Sequence, residues 1–158
     1  MNLRRGGPQD RPFVRDLGRR TIADSISHFR GRDTSNERVP DPLVAASFDR
    51  LVEFAFEQSY VLHVAEVRGE AVGFLLMLDR LPDEVTGQQQ AFIAYMAVEP
   101  HARRRRVATQ LLAAAEASAR ERGLPFLALM VTEENDAARE LYAQAGFLTE
   151  RRLLCKVL

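Results

Sequence analysis

The stretch Val98-Glu-Pro-His-Ala-Arg-Arg-Arg-Arg-Val-Ala-Thr-Gln-Leu-Leu112 decides how this chain is read. Before it, AFIAYMAV (residues 91–98) is apolar, β-rich and closed by Glu99-Pro100. After it, Ala108, Leu111, Leu112, Ala115 and Ala119 recur at helical steps over residues 105–122, until Gly123 and Pro125 end the pattern. A strand therefore passes through a short loop into a helix. The first turn of such a helix carries N–H groups without intrahelical acceptors and the positive end of the helix dipole, so a phosphate placed there gains several hydrogen bonds at once. Arg103, Arg104, Arg105 and Arg106 add charge and forked donors at that point, and the small Ala108 allows close approach to the backbone. The run also suits a solvated basic face or a nucleic-acid patch, since only Lys156 is lysine and arginine clusters arise readily. Its position at a strand-to-helix junction favours the phosphate reading.

Working outward, YVLHVAEV and EAVGFLLML (residues 60–67 and 70–78) flank Arg68-Gly69, which predicts an antiparallel hairpin. A polar stretch, residues 82–90, leads into the strand 91–98, placed centrally. LPFLALMV (124–131) reads as another strand, Asn135 opens a short helix through Ala145, and Gly146 stands where a left-handed cap belongs. FLTERRLLCKVL (147–158) reads as one strand or a hairpin. On the other side, residues 11–27 form a first helix despite Gly18, which weakens a helix by about 1 kcal/mol relative to Ala. Val44, Phe48, Leu51, Val52 and Ala55 mark a second, and a short strand is expected over residues 2–5. Between the two helices, residues 28–42 lack periodicity and read as a loop long enough to be a binding lid. The order predicts a mixed α/β (α+β) sheet without internal repeats.

Composition bounds the function. A chain of 158 residues, 46% hydrophobic and 28% charged, fits one globular domain over residues 1–158. Lys plus Arg and Asp plus Glu both number 22, and this neutral balance argues against a nucleic-acid partner. The lone Cys155 excludes a disulfide framework and a cysteine-rich zinc site, and reads as a buried small hydrophobe. His28, His63 and His101 share no ligand spacing, so no metal is expected. No apolar run approaches the roughly 20 residues of a membrane span, and residues 1–12 have no apolar stretch behind their arginines. A cytoplasmic protein without a membrane partner is the expectation.

Residues 98–112 resemble motif A of the GCN5-related N-acetyltransferases, the GNAT superfamily, whose signature is Gln/Arg-x-x-Gly-x-Gly/Ala. The chain reads Arg103-x-x-Arg106-x-Ala108, with arginine at the first glycine position. A second match, Asn135-Asp-Ala-Ala138-Arg-Glu-Leu-Tyr142-Ala-Gln-Ala-Gly146-Phe147, is similar to motif B, Asn-x-x-Ala-x-x-x-Tyr-x-x-x-Gly-Phe, at every defined position. At about 100° per residue, positions 135, 138 and 142 share one helical face. The hairpin Val67 to Phe74 is also similar to that family's, and the element order agrees through nearly the whole chain.

The resemblance implies a GNAT fold: a mixed, mostly antiparallel central sheet flanked by about four helices. It implies acetyl-CoA as co-substrate, with no metal. The pantetheine arm would lie on the backbone of Met96, Ala97 and Val98. The pyrophosphate would sit on the loop and helix start from Arg103, Arg104, Arg105 and Arg106 through Val107, Ala108 and Thr109. Asn135, Ala138 and Tyr142 would line the opposite wall, and Tyr142 would be the acid that protonates the departing thiolate. A phenol of pKa about 10 facing a thiol of about 8.5 makes that transfer feasible.

The resemblance also implies a primary amine of a small molecule or peptide as acceptor, with its identity left open, and a homodimer is left open too. No acid occurs on the strands where some relatives place a general base; Tyr95 and Met130 point inward instead, and Glu66, Glu99 and Glu133 lie near the cleft. The missing strand glutamate and Arg106 motivate an alternative, a non-catalytic acyl-CoA-binding regulatory module. Tyr142 as a plain core aromatic, Asn135 as a plain N-cap, and Phe54 and Phe56 as pocket lining or packing complete the readings carried forward.

Overall fold

The computed structural model describes residues 1–28, 30 and 41–158, the side chain of Asp41 excepted. Most of the long loop expected over residues 28–42 lies outside the described residues. The elements are β1 (Asn2–Arg5), α1 (Arg11–Thr21), α2 (Asp41–Glu57), β2 (Tyr60–Val67), β3 (Glu70–Pro82), β4 (Gln89–Val98), α3 (Val107–Glu121), β5 (Leu127–Leu129) and α4 (Asp136–Gln144). Single 3₁₀ turns precede α1 and α3, and another, Ile22–Ser25, follows α1. Five strands form one sheet in the order β1-β2-β3-β4-β5, antiparallel except for the parallel pair β4 and β5.

The two faces of the sheet carry different layers. On one, α1 and α2 bury Val14, Leu17, Phe48 and Val52 against Phe74, Leu76 and Tyr95; on the other, α3 packs Val107, Leu111 and Ala115 against Leu75, Met77 and Ile93. β3 is covered on both faces, which is why its sequence is an unbroken apolar run rather than an alternating one. Gly18 finds its explanation here. A Cβ at that position would fall 1.9 Å from the buried Phe48 ring, so the residue that weakens α1 as a helix lets α1 and α2 close on each other.

One bulge sets the geometry of the site. Met77 pairs with Ile93 and Leu76 with Tyr95, so Ala94 is an extra residue on β4. The pleat reverses there: Ala91 and Ile93 pack with α3, whereas Tyr95 and Ala97 pack with α1 and α2. β5 stays with β4 only from Ala91 to Ile93, and beyond that register the two strands separate.

Four expectations are corrected. The strand expected over 124–131 narrows to Leu127–Leu129 because only those residues reach β4. Residues 148–158 carry no strand or hairpin, and no backbone hydrogen bond ties them to a described residue. Cys155, in that segment, is exposed rather than buried. The first helix also ends earlier than expected, at Thr21, and continues as a 3₁₀ turn.

Candidate active site

The gap between β4 and β5 is built by the bulge. Before it, the Ala91 N–H donates toward β5, to Phe126 O at 2.9 Å; after it, the Glu99 N–H donates toward β3, to Val72 O at 2.8 Å. Strand alternation then turns the amides of Tyr95 and Ala97 to β3 and leaves those of Met96 and Val98 facing the gap. Two strand residues thus present backbone polar groups to a ligand that could run along β4 as β5 does lower down.

At the mouth of the gap the chain turns through Pro100–Ala102 into the arginine loop. Arg104 and Arg106 both adopt left-handed backbone, each with φ of 61°. Arg106 stands where the motif has glycine, and it occupies the conformation that favours glycine, as N-cap of α3 without a side-chain cap. Among the described residues no acceptor meets the N–H groups of Val107, Ala108 or Thr109. Arg104, Arg105 and Arg106 are exposed and make no ion pair with described residues, while Arg103 donates to Val98 O at 3.3 Å and lies 3.8 Å from Asp24. Free amides, a helix start and uncommitted guanidinium groups converge there.

The other wall comes from α4. Asn135 caps that helix, its Oδ1 accepting from Ala138 N–H at 3.2 Å, and Gly146 ends it in left-handed backbone while the Phe147 N–H returns to Tyr142 O at 3.0 Å. Tyr142 is half-buried with its ring edge-to-face on Phe147, at a centroid distance of 5.8 Å. Burial raises its phenol pKa, and the Tyr95 phenol nearby adds to the shift. Tyr95 lies deeper. Its Oη is 3.1 Å from Thr21 Oγ1, and because Thr21 donates to Leu17 O at 2.8 Å, the phenol is the donor of the pair. Burial raises this phenol too, with the Thr21 and Ser25 hydroxyls opposing.

Residues 22–28 join the two walls. Asn135 Nδ2 donates to Asp24 O at 3.2 Å, the Thr132 hydroxyl to Ser25 O, and the His28 N–H to Glu134 Oε2 at 2.9 Å, with His28 Nδ1 against the other carboxylate oxygen. This strap was not legible in the sequence; each bond joins residues more than a hundred positions apart and follows no local pattern.

The candidate bases do not come together. Glu99 is held by Arg20 at 2.7 and 3.1 Å, which lowers its pKa, Glu66 is paired with Arg4 at 2.6 Å, and Glu133 lies 3.5 Å from Arg139. Met130 is exposed rather than inward. Phe56 packs on Tyr60 beneath Arg11 at the start of β2, away from the gap, and Phe54 is exposed. His63 is buried in the sheet with its Nε2 3.0 Å from Ser118 Oγ. Among the described residues no group of His, Cys, Asp and Glu could hold a metal, and no helix is long and apolar enough to cross a membrane.

A separating parallel strand pair, a helix start with free amides at its mouth and a tyrosine on the facing wall thus bound one gap. Residues 25–147 match the acetyltransferase (GNAT) family, and the chain belongs to that family. Among solved structures, a Pyrococcus furiosus protein named for acetyl transfer has a TM-score of 0.80 at 22% identity, covering 99% of each chain. The aminoglycoside N-acetyltransferase AAC(6')-Iy in complex with CoA has a TM-score of 0.68 at 19% identity, covering 99% of this chain and 98% of that one. A ribosomal-protein-alanine N-acetyltransferase from Brucella melitensis has a TM-score of 0.68 at 20% identity, covering 100% of both. These likenesses establish the shared fold, and the expected mixed, mostly antiparallel sheet with four helices is borne out. A search of curated proteins found no match.

Proposed function

We propose that this chain transfers the acetyl group of acetyl-CoA to a primary amine of a small molecule or peptide by direct attack. The observation that carries the reading is the conjunction, around one gap, of the free amides after Arg106, the gap-facing amides of Met96 and Val98, and the Tyr142 phenol with no hydrogen bond to a described residue. The residues fit the co-substrate. Pyrophosphate oxygens would be met by the N–H groups of Val107, Ala108 and Thr109 and by Arg103, Arg104, Arg105 and Arg106. The pantetheine amides would pair with Met96 and Val98, as a strand would, beside Ala97. Asn135 and Ala138 would border the thioester with Tyr142. That an aminoglycoside N-acetyltransferase of similar fold is solved in complex with CoA supports CoA as the carrier of the acyl group.

The chemistry then needs few groups. The amine lone pair attacks the carbonyl carbon, the C–N bond forms, the C–S bond breaks, the sulfur takes the Tyr142 proton, and the proton shed by the acylated nitrogen returns through water to the Tyr142 phenolate. A phenol whose pKa is raised by burial stays protonated until that moment. Since Glu66, Glu99 and Glu133 are all committed to arginines, the acceptor loses its proton to water. The rate at limiting acceptor should therefore rise with pH, along the titration of the acceptor amine.

Two measurements test the reading. Acetyl-CoA should bind in calorimetry while acetate does not, and a thiol-release assay across an amine panel should find turnover. Binding without turnover of any amine would favour the regulatory-module alternative, and absence of binding would remove both.

A further inference from the structure

The two walls of the candidate site do not hold each other. β4 and β5 keep register only as far as the pair Ile93 and Leu129, and among the described residues no hydrogen bond or ion pair runs directly from residues 94–109 to residues 130–147. The polar links between them pass instead through the end of α1 and the strap of residues 22–28. On the β4 side, Arg20 holds Glu99 at 2.7 Å, the Tyr95 phenol meets the Thr21 hydroxyl at 3.1 Å, and Asp24 lies 3.8 Å from Arg103. On the β5–α4 side, the Thr132 hydroxyl donates to Ser25 O, Asn135 Nδ2 donates to Asp24 O at 3.2 Å, and Glu134 accepts the His28 N–H at 2.9 Å beside the His28 ring.

The root of the strap is fixed. Ile22 is buried in the layer that α1 and α2 form on the sheet, and the 3₁₀ turn Ile22–Ser25 continues α1 directly, so the strap extends a packed helix. A ligand lying between two strands that have lost their mutual hydrogen bonds binds best when their separation is set in advance, because a gap free to widen must be narrowed at each binding event. Asn135 divides its side chain between the strap and the cap of α4. Those of Thr132 and Glu134 bond, among the described residues, to the strap alone, and the Glu134 bonds are the stronger for its charge.

We infer that Thr132 and Glu134 are positioning residues for acetyl-CoA: by fastening the strap to the β5–α4 wall they hold the gap at the width its thioester arm requires, without touching it. The inference rests on the proposed function, which supplies the ligand. Coupling of this kind is reciprocal: if a fastened strap raises affinity by some factor, bound ligand favours the fastened strap by the same factor.

Calorimetry with acetyl-CoA on the full chain, and hydrogen exchange at the amides of residues 24–28, test both directions. Glu134→Ala is expected to weaken acetyl-CoA about tenfold and Thr132→Val about threefold. In both, exchange in the strap should quicken while the denaturant midpoint stays unchanged, since these bonds lie at the surface. Glu134→Gln keeps a side-chain carbonyl for the His28 N–H and should remain within about twofold of the parent. In the parent, saturating acetyl-CoA should slow exchange across the strap about tenfold, which bonds serving stability alone would not do. Parent-like affinity in Glu134→Ala overturns the inference, and so does a strap whose exchange ignores acetyl-CoA. Weaker binding with unchanged exchange would make Glu134 a ligand itself, and a glutamine variant as weak as the alanine one would make its charge the cause; either result overturns it too. A parent chain that does not bind acetyl-CoA removes the proposed function and this inference together, so the two failures are told apart.

Discussion

β3 runs for thirteen residues with its central stretch sealed on both faces, whereas β5, two places along the same sheet, pairs for three residues and buries none of them fully. The difference separates what holds the molecule together from what it works with. Among the described residues, the block from β1 to β4, with α1, α2 and α3, contains every fully buried large side chain; the β5–α4 side contains Tyr142, Asn135 and the open gap. A site that must admit an extended co-substrate between two strands cannot also be the packed centre of the sheet.

The contrast is sharpest in paired truncations. Phe48→Ala, in the sealed block, should destabilise by about 3–5 kcal/mol in denaturant unfolding. Leu141→Ala, on the half-buried α4, should cost about 1 kcal/mol. Equal losses would mean that the β5–α4 side is as much a part of the core as the other.

A second probe of the sealed block uses pH. Burial, with Arg5 and Arg122 nearby, lowers the His63 pKa from 6.5 to about 4. Between those values the unfolded chain binds a proton that the native chain does not, so stability is greatest above pH 6.5 and declines as pH falls toward 4, by on the order of 3 kcal/mol. His63→Gln, which keeps a hydrogen-bonding group near Ser118, should remove most of that slope from the stability profile. An unchanged slope would assign it to other groups.

The proposed function places the chemistry on the loose side, and Tyr142→Phe tests that. Loss of the acid should lower turnover at least about a hundredfold while leaving acetyl-CoA affinity and stability nearly unchanged. A drop of twofold or less would return Tyr142 to the role of a packing aromatic on Phe147.

Legibility in the sequence follows the same division. The hairpin turned by Arg68 and Gly69, the strand at Asn2–Arg5, the Asn135 cap and the Gly146 terminus were readable because each rests on local chemistry: turn dihedrals, alternation or a cap. Residues 148–158 were misread for the converse reason. Their strand-like composition is real, but a strand needs a partner edge, and local pattern does not say which edge. In the site, the motif positions could be named, whereas the Glu99–Arg20 pair and the strap of residues 22–28 could not, since both are tertiary pairings between exposed polar residues.

The smallest expected effect separates backbone from side chain in the arginine loop. With φ of 61° and ψ of 15°, Arg106 bears a left-handed strain of roughly 1 kcal/mol that glycine would not. The freer unfolded chain of a glycine variant offsets about as much, so Arg106→Gly should leave stability within about 0.5 kcal/mol of the parent. Valine, branched at Cβ, fits that conformation worse than arginine and should disturb the start of α3. If pyrophosphate is held chiefly by the amides that follow residue 106, calorimetry should find acetyl-CoA affinity within about twofold for Arg106→Gly and about tenfold weaker for Arg106→Val, which is about 1.4 kcal/mol. If both variants weaken binding alike, the guanidinium itself is the ligand, and arginine has replaced the family's glycine by adding a phosphate contact rather than by tolerating its dihedrals.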